Sequence, residues 1–134
     1  DRTEIYKWLF NNDDCPLNKE LLPGFDALFF EPFYQLMRQQ FLAHEMEKAH
    51  ELGADLVSVL HIAPAHNLDF RRVTSPSLQP LGESVIDIWK RLVRMPVKFT
   101  STDTEVLFGR FPADRFPELA AWHEYVTARY PWIR

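Results

Sequence analysis

The feature that most constrains this chain is a long amphipathic segment, residues 31 to about 52, that leads through Gly53 into an apolar run at 54–63. Glu31 and Pro32 suit a helix start, because proline in the first turn loses no hydrogen bond and a carboxylate favours the positive helix end. Gly53 is a typical C-terminal cap. We therefore predict a long helix followed directly by a strand.

The apolar side chains of the predicted helix form a stripe that drifts around its surface. At about 100° per residue, one group lies on one side of the first half and a second group lies on a side turned by roughly a third of a revolution. In chain order they are Phe33, Leu36, Met37 and Phe41, then Leu42, Met46, Ala49 and Leu52. We expect two surfaces to cover this helix.

The run 54–63 is apolar at both odd and even positions, which is typical of a strand buried on both faces of a largely parallel sheet. Helix, glycine and buried strand form the second half of a βαβ unit, and this predicts an α/β fold. Further helices are expected at 3–10, at 83–93 and from 117 to about 129, with a short strand at 97–100. Neither an internal repeat nor a domain boundary is visible.

Composition limits the classes of function. The chain has 134 residues, the size of one domain, and its net charge of −4 disfavours non-specific binding of nucleic acid by the domain as a whole. Cys15 is the sole cysteine, so no internal disulfide can form, and this fits the cytoplasm. Charges interrupt every apolar run well short of the roughly 20 residues that a membrane span needs, so we expect no membrane association.

The usual catalytic and metal-binding patterns are missing from the sequence. It has no Gly-x-Ser-x-Gly elbow and no glycine-rich phosphate loop. His44 and His50 lie six residues apart on one predicted helix, too far around it to share a ligand. His61 and His66 have no standard zinc spacing. Cys15 lies in a polar stretch without an identifiable base, so we predict neither a metal site nor a cysteine nucleophile.

Two groups of residues remain as candidates for binding. Gln35, Arg38 and Gln39 continue, in polar form, a stripe that is apolar further along the helix, so this helix start could border a cleft, where Arg38 suits a phosphate or carboxylate. The polar end of the predicted strand, with His61, His66 and Asn67, is the second candidate, because ligands gather beyond the carboxyl ends of strands in α/β sheets. On the residues alone, a solvated helix start and a polar turn are the favoured interpretations.

The segment EPFYQLMRQQFLA at 31–43 and the segment GADLVSVLHIAPAHN at 53–67 resemble the C-terminal half of bacterial restriction-endonuclease-like proteins of the PD-(D/E)XK nuclease superfamily. The terminal WHEYV at 122–126 and YPW at 130–132 fit the same resemblance. It implies a partial three-layer α/β fold, in which the long helix and buried strand are followed by additional C-terminal helices. Residues 1–134 are then a single domain or the C-terminal part of one.

The resemblance also implies a metal-dependent DNA hydrolase, but the sequence departs from the pattern of that family. In such nucleases an acidic residue and a Glu-x-Lys pair lie on strands before the helix, and no (Asp/Glu)-x-Lys occurs anywhere in this chain. We therefore expect the catalytic residues and any Mg²⁺ to belong to a longer parent protein, and this chain to be inactive alone. Gln35 and Arg38 match the family's helix motif, as residues that border the active site or the scissile phosphate.

Two other interpretations remain open. The chain could be a non-catalytic interaction module whose aromatic surface docks a partner or forms a homodimer. It could also be a small-molecule hydrolase with a site around His61 and His66. An exposed sheet edge, covered by self-association, would fit the homodimer.

Overall fold

A computed structural model describes residues 2–133, and within this range the protein has six α-helices and a parallel sheet of two strands. The helices are α1 (Arg2–Asn11), α2 (Phe33–Lys48), α3 (Leu68–Arg71), α4 (Val85–Leu92), α5 (Thr104–Gly109) and α6 (Ala120–Arg129), and the strands are β1 (Val59–Ala63) and β2 (Phe99–Asp103). The α/β class predicted from the sequence is confirmed, as are the helices that follow the strands. The three-layer arrangement stays a prediction.

The chain divides into two compact units. The first comprises the residues up to His61 together with Leu68–Thr100, and the second comprises Ile62–Asn67 and the residues from Ser101 onward. The first unit contains α1 to α4 and the continuous hydrophobic core. The second contains α5 and α6.

Helix α2 is shorter than predicted at both ends. It begins at Phe33, one residue after Pro32, and its last residue is Lys48. His50 then adopts a left-handed conformation with φ 47°. Gly53, the predicted cap, also has a positive φ of 75°, but it lies beyond the helix end at Lys48. Because the chain leaves the helical path at His50, residues 51–53 form a separate 3₁₀ turn.

One face of α2 is buried along most of its length, and the predicted second apolar face is wrong. The buried residues are Phe33, Leu36, Met37, Gln40, Phe41 and Ala43. By contrast, Leu42 is 62% exposed and Leu52 is 97% exposed. The polar residue Gln40 was not in either predicted apolar group, yet it is buried on the core-facing side of the helix.

The core beneath α2 is supplied by helix α4 and by the segments before α2. The rings of Phe33 and Trp89 lie 6.5 Å apart, and both side chains are fully buried. Val85, Ile88, Trp89 and Leu92 follow helical spacing and form the buried face of α4. Burial of this stripe explains why the predicted helix at 83–93 is confirmed with nearly the expected bounds.

Strand β1 is shorter than predicted and is not buried on both faces. It covers five residues, and its side chains alternate between half-buried and exposed. Val59 packs against the core, whereas Leu60 is 55% exposed. The prediction rested on apolar residues at both odd and even positions. It was wrong because one face of β1, with Leu60 and Ile62, is exposed. Strand β2 begins two residues later than predicted.

The first and last helices agree with the sequence. Helix α1, Arg2–Asn11, exceeds the predicted bounds of 3–10 by one residue at each end. Helix α6 ends at Arg129 and is preceded by a 3₁₀ turn that begins at Pro117. Within residues 2–133 no helix has the length and apolar character required to cross a membrane.

Candidate functional site

Gln35, Arg38 and Gln39, predicted from the sequence, line one groove on the first unit. The groove has a volume of about 440 Å³ and lies between α1 and α2. Its remaining lining residues are Tyr6, Leu9, Phe41, Leu42 and Glu45. The structure therefore gathers all three helix candidates at one concave surface with an apolar floor.

Two tyrosines position the guanidinium group of Arg38. Its Nε donates a hydrogen bond to the hydroxyl oxygen of Tyr6 at 3.2 Å, and its central carbon lies 5.6 Å from the ring centroid of Tyr34. The two tyrosine rings meet edge to face at 6.1 Å. In the described part of the chain no carboxylate lies within 4.0 Å of this guanidinium. Arg38 is thus held in place by the two tyrosines, and among residues 2–133 no carboxylate compensates its charge at contact distance.

The two glutamines differ in their contacts. Gln35 Nε2 donates to Glu31 Oε1 at 3.3 Å, one turn earlier. Gln39 is exposed at the rim of the groove. Glu31 and Glu45 bring negative charge near this helix, and Glu45 forms an ion pair with Lys48.

The strand-end candidates do not form one site within either unit. His61 belongs to the first unit and stacks on Phe70 with ring centroids 4.6 Å apart. His66 belongs to the second unit, where Nδ1 lies 3.6 Å from Glu105 Oε1 and the ring meets Trp132 edge to face. Asn67 is exposed and closes a turn through its backbone N–H to the carbonyl oxygen of Pro64.

A larger cavity, which sequence reasoning missed, lies elsewhere in the first unit. Its volume is about 610 Å³, and it is bounded by the loop after α1, the C-terminal half of α2 and the connection from α4 to β2. The lining residues are Asp13, Asp14, Cys15, Pro16, Gln40, His44, Glu47, Val57, Arg94, Met95 and Lys98. Cavities of this size, apolar with a few convergent polar groups, are the usual form of small-molecule sites.

Two ion-paired carboxylates line this cavity. Glu47 Oε2 pairs with Lys98 Nζ and accepts a hydrogen bond from the backbone N–H of Val57 at 2.8 Å. These two contacts, with Lys98 contributing most, lower the pKa of Glu47. Asp14 Oδ2 lies 2.8 Å from Lys48 Nζ, and this hydrogen bond lowers the pKa of Asp14. Both carboxylates are therefore ionised at neutral pH.

Three further polar groups of the cavity have unusual surroundings. Gln40 is 2% exposed, and its Oε1 has no hydrogen-bond partner among residues 2–133. His44 Nε2 is also buried. It lies 3.4 Å from Asp14 Oδ2, but without the geometry of a hydrogen bond. Arg94 Nη1 donates to the carbonyl oxygens of Asp13 and Cys15 at 3.3 and 3.2 Å.

Cys15 lies in the loop after α1, as expected from the sequence, but its side chain is buried against the core. This burial raises the pKa of its thiol, so the thiolate needed for nucleophilic chemistry is disfavoured. The predicted loop position is correct, and the polar surroundings expected for the side chain are not.

The sequence carried one signal for this cavity. Gln40 falls in phase with Phe33, Leu36 and Met37 on the buried side of α2, and a polar residue in that phase needs a partner. The other walls come from segments as far apart as Asp13 and Arg94, 81 positions apart in the chain. No local pattern reports such a juxtaposition.

The described residues contain no group of three or more His, Cys, Asp or Glu side chains that could hold a metal ion. The chain therefore does not offer, in the part described, the converging carboxylates that Mg²⁺ hydrolysis sites use. No chemical step can be assigned to Mg²⁺ on these residues.

The protein belongs to the family described as restriction endonuclease associating with ARP, whose sequence profile matches residues 2–131. This family assignment agrees in part with the resemblance found in the sequence, since both concern restriction-endonuclease-like proteins. Neither the curated proteins nor the solved structures include a significant match.

Proposed function

We propose that this protein supports DNA cleavage by a restriction-endonuclease-like protein, and that it does so by contacting the DNA backbone at the groove around Arg38. Metal-dependent hydrolysis belongs, in this proposal, to residues of a longer parent. Membership of the family supports the nuclease context. The missing (Asp/Glu)-x-Lys motif supports a binding role for this chain rather than a catalytic one.

The observation that carries the proposal is the guanidinium of Arg38, which is positioned by two tyrosines and has no carboxylate within 4.0 Å among residues 2–133. Its Nε donates to Tyr6, and the two terminal nitrogens, which have no hydrogen-bond partner among residues 2–133, are available to a ligand. A guanidinium binds a phosphate through two parallel hydrogen bonds, and prior positioning reduces the entropy lost on binding. Because the whole chain carries a net charge of −4, we expect weak binding that is measurable at low salt.

The test is duplex DNA binding by fluorescence anisotropy over a series of salt concentrations. Arg38→Ala should weaken binding about tenfold and reduce the salt slope by about one unit, as expected for one lost phosphate contact. Arg129→Ala is a matched control, since Arg129 also donates to tyrosine hydroxyls and lies 5.6 Å from the ring of Tyr130. Equal affinities of wild type and Arg38→Ala would refute the contact.

A second measurement tests the supporting role. Supercoiled plasmid is incubated with wild-type protein and Mg²⁺, and we expect it to remain intact. Mg²⁺-dependent nicking by this chain would contradict the assignment of catalysis to residues outside it. Arg38→Ala in the parent protein should reduce cleavage without unfolding the chain.

A second candidate function, an interaction or homodimerisation module, is favoured by the surface of the C-terminal unit. Among its described residues Ile133 alone is buried, while Trp122 is 47% and Tyr125 60% exposed. Trp122 and Tyr125 lie about one helical turn apart on α6, and exposed apolar patches mark protein interaction sites. Sedimentation over a range of concentrations tests this candidate: concentration-dependent dimers that are lost in Trp122→Ser support it, and a monomer throughout contradicts homodimerisation.

A further inference from the structure

The cavity of about 610 Å³ in the first unit is separate from the groove of the proposed DNA contact. It shares no lining residue with the groove around Arg38. Its size falls within the range of about 300–1,000 Å³ that is usual for small-molecule sites. The charges and hydrogen-bonding groups of its walls define the chemistry of the ligand.

Arg94 supplies a site for an anion. Its Nη1 is fixed by the carbonyl oxygens of Asp13 and Cys15, and its backbone N–H donates to the carbonyl oxygen of Pro16 at 2.9 Å. Within residues 2–133 no carboxylate lies within 4.0 Å of the guanidinium. The neighbouring carboxylates of Asp14 and Glu47 have their own cationic partners. A phosphate is therefore the natural partner of the remaining guanidinium nitrogens.

Gln40 supplies a site for an N–H donor. Its Nε2 lies 3.3 Å from the carbonyl oxygen of Lys98, and a carbonyl oxygen can only accept a hydrogen bond. This contact fixes the orientation of the amide and leaves Oε1 as an acceptor with no partner in the described chain. An amino group of a ligand would satisfy it.

Two carboxylates are the third kind of polar group in the cavity walls. Asp14 and Glu47 line the same cavity and, being ionised, accept hydrogen bonds from ligand hydroxyl groups. Apolar surface from Val57 and Met95 is available for a planar ring. Gln40 Oε1 is shielded in the free protein, so a ligand reaches it when the side chains that surround it move.

We propose that this cavity binds a mononucleotide, with the phosphate on Arg94, the sugar hydroxyls on Asp14 and Glu47, and an amino group of the base on Gln40. The combination of an anion, hydroxyl groups and an N–H donor in one ligand matches the three kinds of group in the walls. An amino acid could satisfy Arg94 and Gln40, but it would leave the carboxylates and most of the cavity volume unused.

The test is a titration of the full 134-residue chain with adenosine monophosphate, followed by backbone amide shifts in NMR spectra. Shifts are expected around residues 13–16, 40–47 and 94–98. Adenosine and inorganic phosphate, titrated separately, should each bind about tenfold more weakly or worse, because each lacks part of the recognised chemistry. The absence of shifts at millimolar nucleotide overturns the proposal.

Two comparisons separate this site from its alternatives. Arg94→Gln should weaken nucleotide binding about tenfold, whereas Arg91→Gln, which removes an equal charge from a residue that also donates to a backbone carbonyl, should not. If circular dichroism shows that Arg94→Gln does not fold, the test is the comparison of nucleotide with adenosine on the wild type. Equal affinities of the two would then overturn the phosphate contact. Shifts confined to the groove around Arg38 overturn the cavity assignment and leave the DNA contact standing. Binding of glutamine without binding of the nucleotide overturns the ligand class.

Discussion

Glu47 on α2 and Lys98, 51 positions later in the chain, form an ion pair that joins two distant segments of the first unit. The same carboxylate accepts a hydrogen bond from the backbone N–H of Val57, in the segment that leads into β1. Glu47 thus connects helix α2 to the segment before β1 and, through Lys98, to the residue before β2. Lys98 in turn presents its carbonyl oxygen to Gln40.

Replacement of Glu47 by Gln should reduce stability in a manner that depends on pH. Because the folded-state pKa of Glu47 lies below its ordinary value of 4.5, its contacts stabilise the fold above that value, and the stabilisation is lost as the pH falls below it. We expect Glu47→Gln to lower the urea midpoint at neutral pH, and the difference from wild type to shrink in acid. Glu124→Gln, from an exposed position on α6, is the control and should match wild type at both pH values. A pH-independent difference would exclude the ionised contact as its source.

Two leucines on α2 provide a matched test of its burial. Leu36 is 1% exposed and Leu42 is 62% exposed. Leu36→Ala should lower the free energy of unfolding by about 2–5 kcal/mol, because it leaves a cavity in the core. Leu42→Ala should change it by no more than about 0.5 kcal/mol. Urea denaturation of both variants measures the difference, and similar losses would mean that a second surface covers the helix after all.

These two leucines also show what the sequence could and could not predict. Helical periodicity correctly identified α2 and α4, because burial of one face of a helix leaves a mark every three or four residues. It could not decide which of two adjacent apolar faces is covered, since that depends on elements distant in sequence. For the same reason the exposed side of β1 at Leu60 was missed, as its apolar side chains look alike whether covered or not.

For the candidate sites, too, the sequence predicted what one helix determines and missed what distant segments form together. The groove residues Gln35, Arg38 and Gln39 are close in sequence, and the periodicity of one helix sufficed to place them together. The cavity between Asp13 and Arg94 requires contacts across most of the chain. The one indication of this cavity in the sequence was that Gln40 falls on the apolar side of the helix. A single polar residue at such a position does not identify the groups that it contacts.

Cys15 should react slowly with thiol reagents in the folded protein. Burial both shields the sulfur and raises the pKa of its thiol, and the reactive species is the thiolate. The labelling rate with a disulfide reagent at mildly alkaline pH should rise by orders of magnitude when urea unfolds the chain. Equal rates in native and unfolded protein would place the thiol at the surface, in conflict with its core position.

The turn after α2 offers a stabilising substitution. Leu52 has φ 56° and a side chain that is 97% exposed, so its left-handed backbone is strained with little compensation from packing. Leu52→Gly should raise the free energy of unfolding by about 0.5–1 kcal/mol, since glycine adopts this conformation without the clash of a Cβ atom, partly offset by its greater freedom in the unfolded chain. Leu56→Gly is the control, because Leu56 is also exposed but lacks a positive φ, and there the added chain freedom should lower stability. Opposite signs for the two variants in urea denaturation are expected; a loss of stability in both would show that Leu52 does not hold this backbone conformation in solution.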